Sequence, residues 1–135
     1  MSYKIDEIEG IGPAYAEKLG KVGITKVEHF LKLCCDKKGR QKVAAETGIS
    51  ETHLLKWANM ADLMRIKGVA TQFAELLECA GVDTVKELRT RRADNLAAKM
   101  AEVNNEKKLC KANPSEKEVA DWIQQAKGME PTVTH

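Results

Sequence analysis

Residues 8–19 read IEGIGPAYAEKL, and residues 66–77 read IKGVATQFAELL. The two stretches lie 58 residues apart and match at the first residue, at the glycine and apolar residue that follow, and at Ala-Glu-x-Leu near the end. The match continues to Gly23 and Gly81, and Trp57 is repeated as Trp122 at a spacing of 65 residues. We interpret the chain as a tandem duplication with about seven residues inserted late in the second copy.

A chain of 135 residues fits one compact domain or two small ones. The repeat favours two units, residues 1–64 and 65–128, followed by a flexible tail at 129–135. Hydrophobic residues make up 43% of the chain but aromatic residues only 4%, so aliphatic side chains must fill the core. Trp57 and Trp122, at equivalent positions, are predicted to be core anchors.

Charge and cysteine content limit the function. The net charge is +2, from 22 basic and 20 acidic residues, so no strongly basic field points to nucleic acid. The cysteines have neither CxxC nor zinc-finger spacing, and Cys34 and Cys79 fall on apolar helical faces, which predicts reduced core thiols. The sequence shows no signal peptide and no apolar run of the ~20 residues that span a membrane. We therefore expect a cytoplasmic protein with no metal site and no membrane contact.

Catalytic patterns are missing as well. The sequence contains no nucleophile paired with a base, no phosphate-binding P-loop and no metal-ligand cluster. An enzyme is not predicted, no catalytic residue is assigned, and no small-molecule substrate is expected.

Apolar residues recur at three- and four-residue steps, which predicts an all-α protein. Capping residues are predicted at Thr25, Ser50, Asp83 and Ser115. In the first copy we expect a long central helix from Glu51 to about Ile66, shared with the second copy, after helices at 3–9, 13–21, 25–34 and 37–47. In the second copy we expect helices at 71–80, 84–91, 93–103 and 116–127.

The first stretch resembles a helix-hairpin-helix motif, because an apolar-x-Gly-apolar-Gly turn is followed by the small Ala16 and by Leu19. The resemblance implies that backbone N–H groups of Gly10, Ile11 and Gly12 contact a DNA phosphate at the start of the next helix. It also allows a monovalent cation at the hairpin. No other cofactor is predicted.

The organisation of the whole chain resembles proteins with paired hairpins. Two hairpins joined by a connector helix form the five-helix domain found in DNA-repair and junction-binding proteins. In the first copy these parts would be Gly10–Gly12, the connector 25–34 and the hairpin 47–50; the second copy has Ala70 where the first has Gly12. The fold prediction is two tandem five-helix helix-hairpin-helix units sharing a long central helix.

Residues 3–127 also resemble a prokaryotic family of tandem helix-hairpin-helix domains catalogued as a domain of unknown function. The residues that carry this resemblance are 8–19, 47–57, 61–69, 82–88, 101–104, 107–109 and Trp122. The resemblance implies the fold and assigns no activity.

The leading functional prediction is a non-catalytic module that binds duplex or branched DNA without strong sequence preference. Lysine and arginine side chains would add charge to the hairpin amides. The predicted nucleic-acid-binding set is Gly10, Ile11, Gly12, Lys18, Lys21, Lys37, Lys38, Arg40, Lys67 and Gly68.

Two alternatives stay open. The first is a protein-interaction or adaptor module whose hairpins are purely structural, which the near-neutral charge favours. The second is a helix-turn-helix over residues 40–57, in which Ala44, Gly48, Leu54 and Trp57 have the required spacing. Its recognition helix would present Ser50, Glu51, Thr52, His53 and Lys56, and it contains no arginine for bidentate contact with guanine.

Overall fold

The computed structural model describes residues 3–135. In this part of the chain we find eight α-helices, one 3-10 helix and an isolated antiparallel bridge between Lys4 and Lys26. The predicted all-α class is therefore confirmed. After the 3-10 helix at Ile5–Glu7, the helices are α1 Pro13–Gly20, α2 Val27–Cys34, α3 Lys37–Thr47, α4 Glu51–Leu63, α5 Thr71–Cys79, α6 Val85–Leu88, α7 Ala93–Lys107 and α8 Glu116–Lys127.

The described chain divides into two compact units. One ends at Asp62 and is completed by Thr132–His135, and the other spans Leu63–Pro131. In the first unit the 3-10 helix contacts α1 and α2, and α2 packs against α3. In the second unit α7 packs against α5 and α8, and α8 also contacts α6.

Each unit has its own apolar core. In the first unit the most deeply buried side chains, at most 2% exposed, include Ile8, Leu19, Ile24, Phe30, Leu54 and Trp57. The second unit buries Leu76, Leu77, Val82, Met100 and Trp122 to the same extent. The prediction that both tryptophans are core anchors is confirmed.

Several helix ends follow local signals that the sequence shows. Helix α3 spans the predicted residues and ends at Gly48, which takes a left-handed φ of +76°. Helix α8 begins with the predicted capping box, in which Ser115 and Glu118 satisfy each other's backbone N–H groups. At α4, Ser50 Oγ accepts the N–H of His53 at 3.2 Å, as expected of a cap.

Other helix ends differ from the prediction. Helix α2 begins at Val27 because Lys26 is held in the bridge with Lys4, so Thr25 does not cap it. Helix α6 is capped by Thr84, whose Oγ1 accepts the N–H of Glu87 at 3.3 Å, so the prediction of Asp83 was wrong.

Helix α4 ends at Leu63, before the predicted Ile66. The chain here closes a tight turn, in which the N–H of Ile66 donates to Leu63 O at 3.1 Å. That bond spans three residues, and it replaces the four-residue bond that would continue the helix.

The thiols separate into two environments. Cys34 is fully buried, as predicted, whereas Cys79 is exposed. Helix α5 buries the face that carries Leu76, Leu77 and Ala80, and this turns Cys79 toward solvent. The prediction of a core thiol was therefore right for Cys34 and wrong for Cys79.

Candidate functional site

The first glycine turn, Gly10–Pro13, places its two glycines in different roles. Gly10 has a φ of +97°, a region that side chains rarely adopt. Gly12 is the N-cap of α1 with an ordinary φ of −90°, and Pro13 takes the first helical position. Between them Ile11 is buried, and its N–H donates to Ile8 O at 3.1 Å. The turn therefore requires glycine at position 10 but not at position 12.

Helix α1 begins with open backbone donors. Within residues 3–135, no hydrogen bond engages the N–H of Gly12, Ala14 or Tyr15. Gly12 and Ala14 are exposed, and a Cβ added at Gly12 would meet nothing within 4 Å. The first N–H groups of a helix carry a partial positive charge. This end of α1 can therefore accept an anion from solvent.

Two of the predicted lysines share a helical face with Ala14, whose N–H is one of these donors. Ala14, Lys18 and Lys21 are spaced at four and three residues, so they share one helical face, and all three are exposed. Lys18 Nζ lies 5.9 Å from the centroid of the Tyr15 ring. Lys21 Nζ lies 3.9 Å from a Glu17 carboxylate oxygen, with both side chains more than 70% exposed. This weak pair leaves the Lys21 ammonium accessible to a ligand.

The other predicted basic residues of the first unit lie elsewhere. Lys37 and Lys38 are exposed in the first turn of α3, whose N-terminus is capped by Asp36 through a 2.7 Å bond from the N–H of Gly39. Arg40, which the sequence analysis includes in the nucleic-acid-binding set, is only 3% exposed. Its guanidinium donates to Cys34 O and Thr134 O at 2.9 and 2.7 Å, so backbone carbonyls hold it inside the unit.

The geometry of the first turn recurs 58 residues later. Gly68 has a φ of +98°, and Ala70 is the N-cap of α5 with φ −99° and ψ −172°, against −90° and −173° at Gly12. The bonds from Ile11 to Ile8 and from Ala16 to Gly12 reappear from Val69 to Ile66 and from Ala74 to Ala70. The two turns therefore share backbone angles as well as hydrogen bonds.

A tryptophan lies beneath each turn. A Cβ added at Gly10 would lie 3.1 Å from Trp57 Nε1, and one added at Gly68 would lie 3.0 Å from Trp122 Nε1. Tyr15 packs edge-on against Trp57 at a centroid distance of 5.0 Å, and Phe73 lies 5.1 Å from Trp122. In both units the indole therefore supports the turn and the aromatic residue of the helix that follows.

The second turn, Lys67–Thr71, also has a contact that sequence reasoning missed. The side-chain amide of Gln125 on α8 accepts the N–H of Lys67 at 2.9 Å and donates to its carbonyl at 3.0 Å. An open cleft of about 660 Å³ lies beside the turn, and its charged lining residues are Lys67, Lys117, Glu118 and Asp121. Lys67 and Gly68 are exposed, but the charges around them are balanced.

The described residues contain neither a metal-ligand cluster nor a membrane-spanning helix. Residues 3–135 contain no group of three or more histidine, cysteine, aspartate or glutamate side chains placed to hold a metal ion. Among the helices of the described chain, none combines the length and the apolar composition needed to cross a bilayer.

Comparison with known proteins gives a family. Neither the curated proteins nor the solved structures contain a match to this chain. One family model, described as Domain of unknown function (DUF4332), matches residues 9–129, a span that includes both glycine turns and both tryptophans. The chain therefore belongs to the DUF4332 family.

Proposed function

We propose that this protein is a non-catalytic module that binds DNA phosphates through the first glycine turn, without strong sequence preference. The proposed scaffold is a tandem pair of helix-hairpin-helix units. The shared backbone angles, hydrogen bonds and tryptophan supports of the two turns support this duplication.

The observation that carries the proposal is the start of α1. Three N–H groups, those of Gly12, Ala14 and Tyr15, are free of hydrogen bonds within residues 3–135 and lie at the positive end of the helix. Lys18 and Lys21 share the helical face of Ala14. Backbone donors at a helix N-terminus suit a phosphate oxygen, and the lysines add a salt-dependent attraction to the neighbouring phosphates.

The second turn contributes less in this proposal. Ala70 replaces Gly12, Gln125 holds the peptide of Lys67 in place, and two carboxylates balance the two lysines of the cleft. We assign Lys67 and Gly68 an accessory contact. Lys37 and Lys38 provide general positive charge, and Arg40 is assigned no contact because it is buried.

Fluorescence anisotropy with a labelled duplex and a labelled four-way junction at two salt concentrations tests the proposal. Gly12→Glu places a carboxylate among the open donors without strain, because the site is open and its φ is ordinary. Gly20→Glu is the matched control, since it adds the same charge at the other, equally open end of α1. We expect Gly12→Glu to weaken binding at least about tenfold and Gly20→Glu to weaken it no more than about threefold.

The salt dependence adds a second criterion. Removing one phosphate contact with Lys18→Gln should reduce the slope of log K against log salt by about 0.9 for a duplex. Absence of binding by the folded protein at low salt, or equal losses in the two glutamate variants, would reject the proposal.

A protein-interaction module is the second candidate, and one observation favours it. Leu33 is 45% exposed, the large apolar side chain that stands out to solvent in residues 3–135, and it borders a small cleft with Val22 and Val43. Leu33 and the two valines would form the apolar part of a protein-binding surface, and Lys42 and Glu46, which also line the cleft, its charged part. If DNA binding is absent, comparison of Leu33→Ser with wild type in a protein-capture assay is the next step.

A further inference from the structure

Residues 132–135 fill a groove on the first unit. Val133 is 7% exposed, and the N–H of Thr134 donates to Cys35 O at 2.8 Å. The guanidinium of Arg40 donates to Thr134 O at 2.7 Å, and His135 Nε2 lies 3.1 Å from Asn59 Oδ1. We call the surface formed by Cys34, Cys35, Arg40 and Asn59 the Arg40 groove.

The Arg40 groove contains a buried guanidinium that is hydrogen-bonded to backbone carbonyls. Arg40 is 3% exposed, and among the described residues no carboxylate lies within 4.0 Å of its guanidinium. Its partners are Cys34 O at the end of α2 and Thr134 O in the bound segment. Because a buried charge is costly unless it is hydrogen-bonded, the groove favours an extended chain that presents a backbone carbonyl to Arg40.

The hydrogen bonds between the Arg40 groove and Thr134 involve the backbone of the segment. Both peptide groups of Thr134 are engaged, whereas its side chain makes no hydrogen bond with residues 3–135. Val133 and His135, two positions apart, meet the unit through burial and through Asn59. Backbone pairing combined with side-chain contacts at alternate positions is a common mode of peptide recognition.

We propose that the Arg40 groove is a peptide-binding site that accepts the Thr132–His135 segment of a second copy of this chain as well as its own. The segment belongs to the first unit although the preceding residues, Leu63–Pro131, form the second. The chain thus reaches the groove only after a complete separate unit. Exchange of an identical segment between two copies preserves every contact in the groove, which keeps its cost low. This inference is independent of the proposed DNA binding.

A labelled peptide of residues 129–135 tests whether the Arg40 groove binds a segment that belongs to another molecule. Thr134→Pro in the full chain removes the N–H that donates to Cys35 O and thereby frees the groove. We expect the peptide to bind Thr134→Pro at least about tenfold more tightly than wild type, in which the tethered segment competes at high effective concentration. The same peptide carrying proline at position 134 should not bind, and the double variant Arg40→Met/Thr134→Pro should not bind the wild-type peptide.

A complementation experiment tests the second copy as the partner. Arg40→Met disables the groove but leaves the segment, and Thr134→Pro disables the segment but leaves the groove. Each variant alone should sediment as a monomer, and an equimolar mixture should form a heterodimer. The titration of Thr134→Pro with the wild-type and proline peptides does not depend on whether Arg40→Met folds, whereas the double variant counts only if it is folded.

Three results would overturn the inference. In the first, the folded Thr134→Pro protein does not bind the wild-type peptide at millimolar concentration. In the second, wild type and Thr134→Pro bind that peptide equally tightly. In the third, a mixture of folded Arg40→Met and folded Thr134→Pro stays monomeric at concentrations well above the measured Kd of the peptide.

Discussion

The indole nitrogen of Trp57 lies 3.1 Å from the position that a Cβ atom would occupy on Gly10. The same relationship exists between Trp122 and Gly68, at 3.0 Å. Both glycines also have a φ near +98°. Two independent restraints, backbone angle and side-chain space, thus act on the same residue in each turn, and both require glycine there.

Gly10→Ala is therefore expected to destabilise the protein. The left-handed φ and the close approach of Trp57 together should cost about 1–3 kcal/mol of unfolding free energy. Gly12→Ala is the matched control two residues away, because its φ of −90° is ordinary and no atom lies within 4 Å of the added Cβ. It should stay within about 1 kcal/mol of wild type, because alanine is tolerated at the equivalent N-cap, Ala70, although glycine is the better N-cap residue. Urea unfolding measures both, and equal stabilities would contradict the argument.

The sequence predicts those parts of the fold that depend on neighbouring residues. The bounds of α3 follow from Gly48, and the start of α8 follows from the Ser115 capping box, both of which are local signals. The pattern of residues 8–19 also locates the first turn. Which of its two glycines is required could not be predicted, because that depends on backbone angles and on Trp57.

Contacts between distant residues carry no local signal. Gln125 and the Lys67 peptide it holds are separated by 58 residues, and Arg40 and Thr134 by 94. The composition of residues 129–135 predicts a frayed tail, yet Thr134 and His135 are hydrogen-bonded to the first unit. The burial of Arg40, a member of the predicted nucleic-acid-binding set, also depends on such a contact, the bond to Thr134 O.

The N-cap of α6 distinguishes the structure from the sequence prediction. Thr84→Ala removes the oxygen that accepts the N–H of Glu87 and should cost about 0.5–2 kcal/mol of stability. Asp83→Ala, which the sequence would rank as the capping change, should cost less because Asp83 accepts its bond from the Thr84 hydroxyl and not from the N–H of Glu87. Chemical denaturation of the two variants gives the order, and a larger loss in Asp83→Ala would favour the sequence assignment.

Asn104 is expected to hold in place the insertion of the second copy, which the sequence places within residues 104–113. Its side chain is 6% exposed, donates to Cys110 O and Asn113 Oδ1 at 3.1 and 2.8 Å, and accepts the N–H of Cys110 at 2.8 Å. Asn104→Ala leaves these partners unsatisfied and should cost about 1–3 kcal/mol. Asn105→Ala, at the exposed neighbouring position, should change stability by less than about 0.5 kcal/mol. Indistinguishable urea midpoints for the two variants would show that the insertion does not depend on this amide.

Cys34 should make the protein less stable in alkali. Burial raises the pKa of its thiol from 9.0 to about 12, and the nearby Arg40 guanidinium only partly offsets this. At a pH between these two pKa values, the thiol is ionised in the unfolded chain and neutral in the folded one. The folded state therefore holds more protons, and stability falls as pH rises from about 9 toward 12.

Cys34→Ala removes this thiol and keeps all other titrating residues. The contributions of those residues therefore cancel when the two proteins are compared. The free energy of unfolding of wild type minus that of Cys34→Ala should be constant up to about pH 8. Above pH 9 it should decrease by up to about 1.4 kcal/mol per pH unit, because one proton separates the two states. Denaturation at pH 7, 8, 10 and 10.5 measures the difference. Parallel curves across this range would mean that the Cys34 thiol ionises equally well in the folded protein, which its complete burial argues against.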